Sequence, residues 1–224
     1  MAAADTSRQI AEIPRGVRMG PVPAGTCSAG HFVPGLLGSD YRRRQSYRGE
    51  FPPSSAMPRF AHVRHRPPTR PAEARGLVVA CAAMRSRVNL SHIVRSCGCF
   101  GIGRVIACGA GGLDRRIARD GADEVVLEVH RSLPPVLDRL RAEGHELVGL
   151  EQASGSESLF EFSFVHKTAL VVGNERTGLE PEVLAKLDRV AEIPMAGLPH
   201  SLNAATSAAI AIYEYCRQHP GSGG

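Results

Sequence analysis

The feature that most constrains this chain is an apolar run, Ala169-Leu170-Val171-Val172, that stops abruptly at Gly173-Asn174-Glu175-Arg176-Thr177-Gly178. A second apolar segment ends in Ile193-Pro194-Met195, and a loop then delivers Ser201-Leu202-Asn203 to an alanine-rich helix. Strand ends followed by polar, glycine-bearing turns are where an open α/β sheet builds a ligand site. The remaining residues have to supply the strands and helices that hold these two turns.

They do so from Gly76 onward. The continuous apolar run at 77–81 reads as a strand buried on both faces, and 104–108, 146–150 and 169–172 read as further strands. Residues 124–129 and a segment ending at Ile193 add two more. Between them, apolar residues at helical spacing mark 89–99 (Leu90, Ile93, Val94, Cys97), 114–119, 134–142, 181–187 and 202–217. Pro134 and Pro135 suit the opening of the third of these. Residues 152–167 read as a loop in which Leu159, Phe160, Phe162 and Phe164 pack locally, and 218–224 as a frayed tail. Strands alternating with helices predict an α/β fold with a mostly parallel sheet and helices on both faces.

The first 75 residues have a different texture. They hold ten of the sixteen prolines and twelve arginines against five acids, a balance of +7, while the remaining 149 residues carry fifteen basic and seventeen acidic side chains, or −2. With no period of two or 3.6, residues 1–75 read as a disordered Pro/Arg-rich extension and 76–217 as the domain. A basic arm could contact phosphate backbones, act as a targeting leader or be dispensable. Asp5, Glu12 and the prolines argue against a mitochondrial leader. No apolar run approaches the ~20 residues of a membrane span, so a soluble, cytoplasmic protein without a membrane partner is expected. The six cysteines form no CxxC pair and are expected to be reduced structural thiols, with no metal site and no disulfide framework.

Two nucleotide readings fail on spacing. Gly98-Cys99-Phe100-Gly101-Ile102-Gly103 lies between a helix and a strand, whereas a dinucleotide fingerprint needs strand, turn, helix in that order. The turn 173–178 has the outer glycines of a Walker A loop, but Leu179-Glu180 replaces its Lys-Ser/Thr pair. Glu175 could be an ordinary turn residue, and either Ser201 or Asn203 could cap the last helix. Capping requires only one of them.

Three segments together, Asn89-Leu90-Ser91-His92-Ile93-Val94-Arg95, Gly173-Asn174-Glu175-Arg176-Thr177-Gly178-Leu179 and Ile193-Pro194-Met195…Ser201-Leu202-Asn203, resemble the motifs of the SpoU (TrmH-type) RNA 2′-O-ribose methyltransferases of the SPOUT superfamily. The resemblance covers 76–217. Ser91 stands where that family usually has glycine, and 1–75 resembles none of its RNA-binding domains. The resemblance implies a C-terminal trefoil knot, a homodimer with its active site near the interface, and S-adenosylmethionine bound by Val172, Gly173, Asn174, Gly178, Ile193, Met195 and Leu202. It implies a catalytic set of Asn89, Arg95, Glu175, Ser201 and Asn203. Arg95 would contact the ribose 2′-hydroxyl and a neighbouring phosphate, Asn89, Ser201 and Asn203 would hold Arg95 and the ribose, and Glu175 would orient that network. The expected substrate is tRNA or rRNA, reached through Arg85, Arg87, Arg104, Arg115 and Arg116 or through the basic extension. A SPOUT-like module that binds RNA or the cofactor without catalysis is the alternative; an unrelated α/β dehydrogenase is disfavoured by the missing fingerprint.

Overall fold

The computed structural model of the protein describes residues 74–109 and 111–220. The proposed 1–75 extension therefore lies outside the described residues except for Ala74 and Arg75. In chain order the elements are β1 (Val78–Cys81), α1 (Arg87–Cys99), β2 (Arg104–Cys108), α2 (Arg115–Ala118), α3 (Gly121–Glu124), β3 (Val126–His130), α4 (Leu133–Ala142), β4 (Glu146–Leu150), β5 (Glu157–Ser158), β6 (Thr168–Val172), α5 (Pro181–Leu184), β7 (Arg189–Glu192) and α6 (Ala204–Gln218). The seven strands form one sheet in the order β3-β2-β1-β6-β4-β7-β5. Every adjacent pair is parallel.

Side chains alternate across each strand, and this sorts the apolar residues into two layers. Val79, Cys81, Leu170 and Val172 face one cluster, which Leu90, Ile93, Val94 and Cys97 of α1 and Ala208, Ala211, Ile212 and Tyr215 of α6 complete. Val78, Ala80, Ala169 and Val171 face the other, completed by Val136, Leu137 and Leu140 of α4 and Val183 of α5. The central strands β1 and β6 are buried along their whole length, which is why they read as unbroken apolar runs. Ala205 and Ala208 are buried within the chain, so the small-residue face of α6 packs inward, with Asn203 at its start bonded to α1.

Several boundaries differ from the sequence reading, each for a local reason. Helix α1 starts two residues earlier because the Ser86 Oγ accepts from Asn89 N (3.3 Å) and caps it. Asn203, not Ser201, caps α6, which starts at Ala204. Within 152–167 two residues pair with β7 as β5, too short to leave a period in the sequence. Helix α6 runs on to Gln218, whose side chain bonds Phe162 O and Phe164 N (2.7 and 2.8 Å), and His219 bonds Phe164 O (3.0 Å). The start of the expected frayed tail is thereby anchored; 221–224 lie outside the described residues. Cys81, Cys97, Cys108 and Cys216 are free and buried, and Cys99 is free and exposed. Burial pushes the Cys81 thiol up to about 12 and Cys108 to about 11. Among the described residues no helix is long and apolar enough to cross a membrane.

An ion network ties β2, β3 and α4 together. Glu128 accepts from Arg104 Nε (2.6 Å), Arg139 Nη2 (2.8 Å) and His130 Nε2 (3.2 Å), and Arg104 also reaches Glu143 (2.7 Å). Arg104 is thus bound within the fold and unavailable for the RNA patch expected of it. Burial alone would raise the Glu128 carboxyl, but these donors together bring it down to about 2. A depressed carboxylate stabilises the fold fully above its unfolded value, near 4.5, and loses that contribution as pH falls toward about 2. Glu128→Gln is therefore expected to cost about 1.5–3 kcal/mol at neutral pH and to flatten the acid limb, as read by urea unfolding between those two pH limits.

Candidate active site

The chain leaves β1 toward β2 on one side and β6 toward β7 on the other. The crevice at the C-terminal ends of these two neighbouring strands is where an open α/β sheet places its ligands. Strand β6 stops at Val172 because a tight turn begins at Gly173. A Cβ there would lie 2.6 Å from the Gly178 carbonyl carbon. Asn174 and Gly178 exchange both main-chain hydrogen bonds (3.0 and 2.9 Å), and Gly178 has a φ of +64° that favours glycine. The Asn174 side chain is used by the turn itself: Oδ1 accepts from Arg176 N (2.8 Å) and Thr177 N (3.3 Å), and Nδ2 donates to Ala83 O (2.6 Å).

This turn presents Glu175 to the start of α1. Its Oε2 accepts from Arg85 N (3.0 Å), and its Oε1 from Ser86 N (3.0 Å) and Asn89 Nδ2 (2.9 Å). A carboxylate before a helix N-terminus meets unpaired N–H groups and the positive end of the helix dipole. Partial burial pushes the Glu175 carboxyl upward, but the backbone donors and Asn89 outweigh it and hold it below the ordinary carboxylate range. Asn89 passes the contact on, its Oδ1 accepting from Asn203 Nδ2 (3.0 Å). Asn203 Oδ1 in turn accepts from Ala205 N (2.9 Å) and Thr206 N (3.2 Å) and so caps α6. A relay of Glu175, Asn89 and Asn203 thereby links the turn after β6, the first turn of α1 and the first turn of α6.

The remaining residues of the expected set divide. Ser201, Ile193, Met195 and Leu202 line a pocket of about 110 Å³ with Leu150, Glu151, Gln152 and Ser207. Asn174 and Gly178 border a different cavity, of about 190 Å³, beside Arg131 and Thr177, while Val172 and Gly173 are buried behind the turn. Arg95 is exposed. It lies six residues along α1 from Asn89, about 240° around the helix at ~100° per residue, and its backbone lies against Gly121 of α3. The structure therefore unites Asn89, Glu175 and Asn203, puts Ser201 in the neighbouring apolar pocket, and leaves Arg95 on another face of α1.

Three participants escaped the sequence reading. Arg85 and Ser86 contribute main-chain N–H groups, which no residue type announces, although a serine three positions before Asn89 is a helix-start signal. Glu151, at the end of β4, accepts from Leu179 N (3.0 Å) and Gln152 N (3.0 Å) and braces the 173–178 turn from the pocket side.

This site sits in a recognisable family. Residues 76–213 match the SpoU rRNA Methylase family, and the chain belongs to it. Over 151 residues the chain is 32% identical to a tRNA (guanosine(18)-2'-O)-methyltransferase of Mus musculus, an alignment that takes in 63% of this chain but 9% of that protein. The A. aeolicus TrmH/SpoU tRNA modifying enzyme superposes with a TM-score of 0.63 at 27% identity, over 67% of this chain and 78% of that one. The SpoU methyltransferase AviRb from Streptomyces viridochromogenes, solved in complex with the cofactor AdoMet, superposes with a TM-score of 0.57 at 28% identity, over 64% of this chain and 60% of that one.

Because Glu175 meets three donors, Glu175→Gln sets an amide NH₂ against at least one of them. The substitution is expected to cost about 1.5–3 kcal/mol at neutral pH. Glu175 is a depressed carboxylate, so its advantage over the amide holds above the ordinary glutamate range and fades as pH falls below it. Paired denaturant titrations of the two proteins at neutral and acid pH would measure both effects.

Proposed function

We propose that this protein transfers the methyl group of S-adenosylmethionine to a ribose 2′-hydroxyl of tRNA or rRNA. The observation that carries the reading is the Glu175–Asn89–Asn203 relay, which joins all three motif segments beside an apolar pocket. A binding module without catalysis would have no need for a carboxylate, two amides and two helix starts held in one hydrogen-bonded line.

The pocket residues fit the cofactor. Leu150, Ile193, Met195 and Leu202 offer apolar walls for an adenine ring. Among the described residues, the main-chain N–H and C=O groups of 193–202 have no hydrogen-bond partner, so they are free to read the ring's edge. When bound, the cofactor supplies an electrophilic methyl group. The protein's part is to place the 2′-hydroxyl in line with it and to ease loss of the hydroxyl proton, and positioning alone can supply several kcal/mol. Asn89 and Asn203 hold the ribose, Glu175 fixes their amide orientations, and Ser201 lies between ribose and cofactor. Arg95 contacts the 2′-hydroxyl and a neighbouring phosphate, where a forked cation binds well.

The placement of Arg95 favours a homodimer in which each relay is completed by the arginine of a second copy. The exposed apolar residues Ile210 and Tyr213 on α6 suit such an interface. The trefoil knot belongs to the same reading. The Asn203–Asn89 hydrogen bond supports it, because it joins the segment after β7 to the start of α1 although β4 and β6 stand between β7 and β1 in the sheet.

The direct test is transfer of labelled methyl groups from S-adenosylmethionine to total RNA, followed by mapping of ribose methylation. Arg95→Ala is expected to abolish transfer while cofactor affinity stays within about twofold, a difference of under ~0.5 kcal/mol. Mixing inactive Arg95→Ala with inactive Glu175→Gln should restore part of the activity, because a mixed dimer then holds one site with both residues intact. Absence of transfer to any RNA by the unmodified protein would overturn the catalytic reading, and mixing without recovery would confine Arg95 to its own subunit.

A further inference from the structure

We propose that the RNA strand reaches this relay along one continuous trough over α1, with the target ribose beside Asn89 and Asn203 and neighbouring phosphates on Arg87, Arg115 and Arg116. The inference rests on the RNA methyl-transfer reading and adds to it the path of the substrate. Two depressions meet at Val88, an apolar residue 46% exposed. The first, about 420 Å³, is walled by Asn89, His92, Ser96, Asn203 and Thr206. The His92 imidazole has no hydrogen-bond partner among the described residues and opens onto it. The second, about 400 Å³, is lined by Arg87, Leu113, Asp114, Arg115 and Arg116 beside the same Val88.

Charge distinguishes the second depression from the domain around it. Three guanidinium groups stand against Asp114 in the lining and Asp123, the partner of Arg115, a local balance of +1 on a domain whose residues 76–224 sum to −2. The arginines are also held in place. Ser91 Oγ donates to Arg87 O (2.7 Å) and accepts from Asp114 N (2.8 Å), so this fully buried hydroxyl fastens the start of α2 to the first turn of α1. Asp114 caps α2 and takes two hydrogen bonds from Arg116 (3.1 and 2.8 Å). Arg87 lies over Gly112, where a Cβ would come within 2.8 Å of its Nε. Ser91 is thus a positioning residue: it sets the distance between the arginines and Asn89 without touching RNA.

The existing partners of these arginines do not close the site. Arg115 and Arg116 side chains are 74% and 90% exposed in their pairs with Asp123 and Asp114, and exposed pairs contribute little. A phosphate offers the same guanidinium groups bidentate contacts and releases condensed counterions as it binds.

The test compares the full-length protein with its Arg87→Gln/Arg115→Gln/Arg116→Gln variant in equilibrium binding to bulk tRNA and to an rRNA fragment across a salt series. Each phosphate contact adds roughly 0.7–0.9 to the slope of log affinity against log salt. The variant should lower that slope by about 2 and weaken binding ~10–100-fold at low salt, with cofactor affinity unchanged. Arg141→Gln/Arg217→Gln, which removes two exposed arginines elsewhere, should leave the slope as it was. Arginines of residues 1–75 contribute equally to both proteins, so the difference isolates the trough. Ser91→Gly should weaken RNA binding part of the way while the chain stays folded. An unchanged slope in the triple variant overturns the path, as does a wild-type protein that binds neither RNA. A lowered slope in a protein that transfers no methyl group keeps the path and rejects the catalytic reading.

Discussion

Everything at the candidate site hangs on one carboxylate before one helix start. Glu175 takes the main-chain N–H groups of Arg85 and Ser86 and the amide of Asn89. No other group nearby could do this as well, since an ionised carboxylate is acceptor-only and strengthens each bond it receives. The orientation of Asn89 follows, because its Nδ2 must face Glu175, which leaves Oδ1 for Asn203. The cap of α6 follows in turn, because Asn203 then has only Oδ1 to offer the helix. Three segments far apart in the chain acquire a fixed geometry from a single charge placed correctly.

The sheet makes that placement possible. Parallel strands buried on both faces leave their C-terminal ends as the places where polar groups can gather. Neighbouring β1 and β6 both end there; β6 is followed by the polar 173–178 turn, and β1 by the segment 82–86 that brings the Arg85 and Ser86 N–H groups to Glu175. Gly173 and Gly178 let the turn after β6 close tightly enough for Glu175 to face across to α1. Glu151 braces the same turn from the side of the apolar pocket, so the relay and the pocket share one wall. A ligand in the pocket would bear on the backbone that carries the relay.

Much of this was legible in the sequence, and for definable reasons. Buried strands such as Thr168–Val172 announce themselves because both faces need apolar residues. The helices α1, α4 and α6 carry a one-sided apolar period because each covers one face of the sheet. Strand β5 could not be read, since two residues paired to a neighbour leave no pattern. Helix α3, a single turn of Gly-Ala-Asp-Glu with no buried residue, is equally silent. At the site, the motif resemblance pointed to Glu175, Asn89 and Asn203, but only three-dimensional contacts separate the one that caps α6 from Ser201. Arg104 read as a free cation because its partners Glu128 and Glu143 lie 24 and 39 positions away. Arg95 and Asn89 share a motif but not a helix face, as their six-residue spacing on a helix already implies.

The two sides of the sheet carry a further consequence. A row of unpaired main-chain groups along an outer strand is a template on which another chain's sheet can grow. At one margin, β3 exposes Val126 and Val129, the very residues that favour such growth. There, however, the Glu128 cluster with Arg104, Arg139 and His130 sets charge along the strand. At the other margin, β5 is only two residues long, too short to seed a ladder. Charge at one margin and shortness at the other thus both disfavour addition of a further strand, and the sheet's chemistry is left to the ends of its strands.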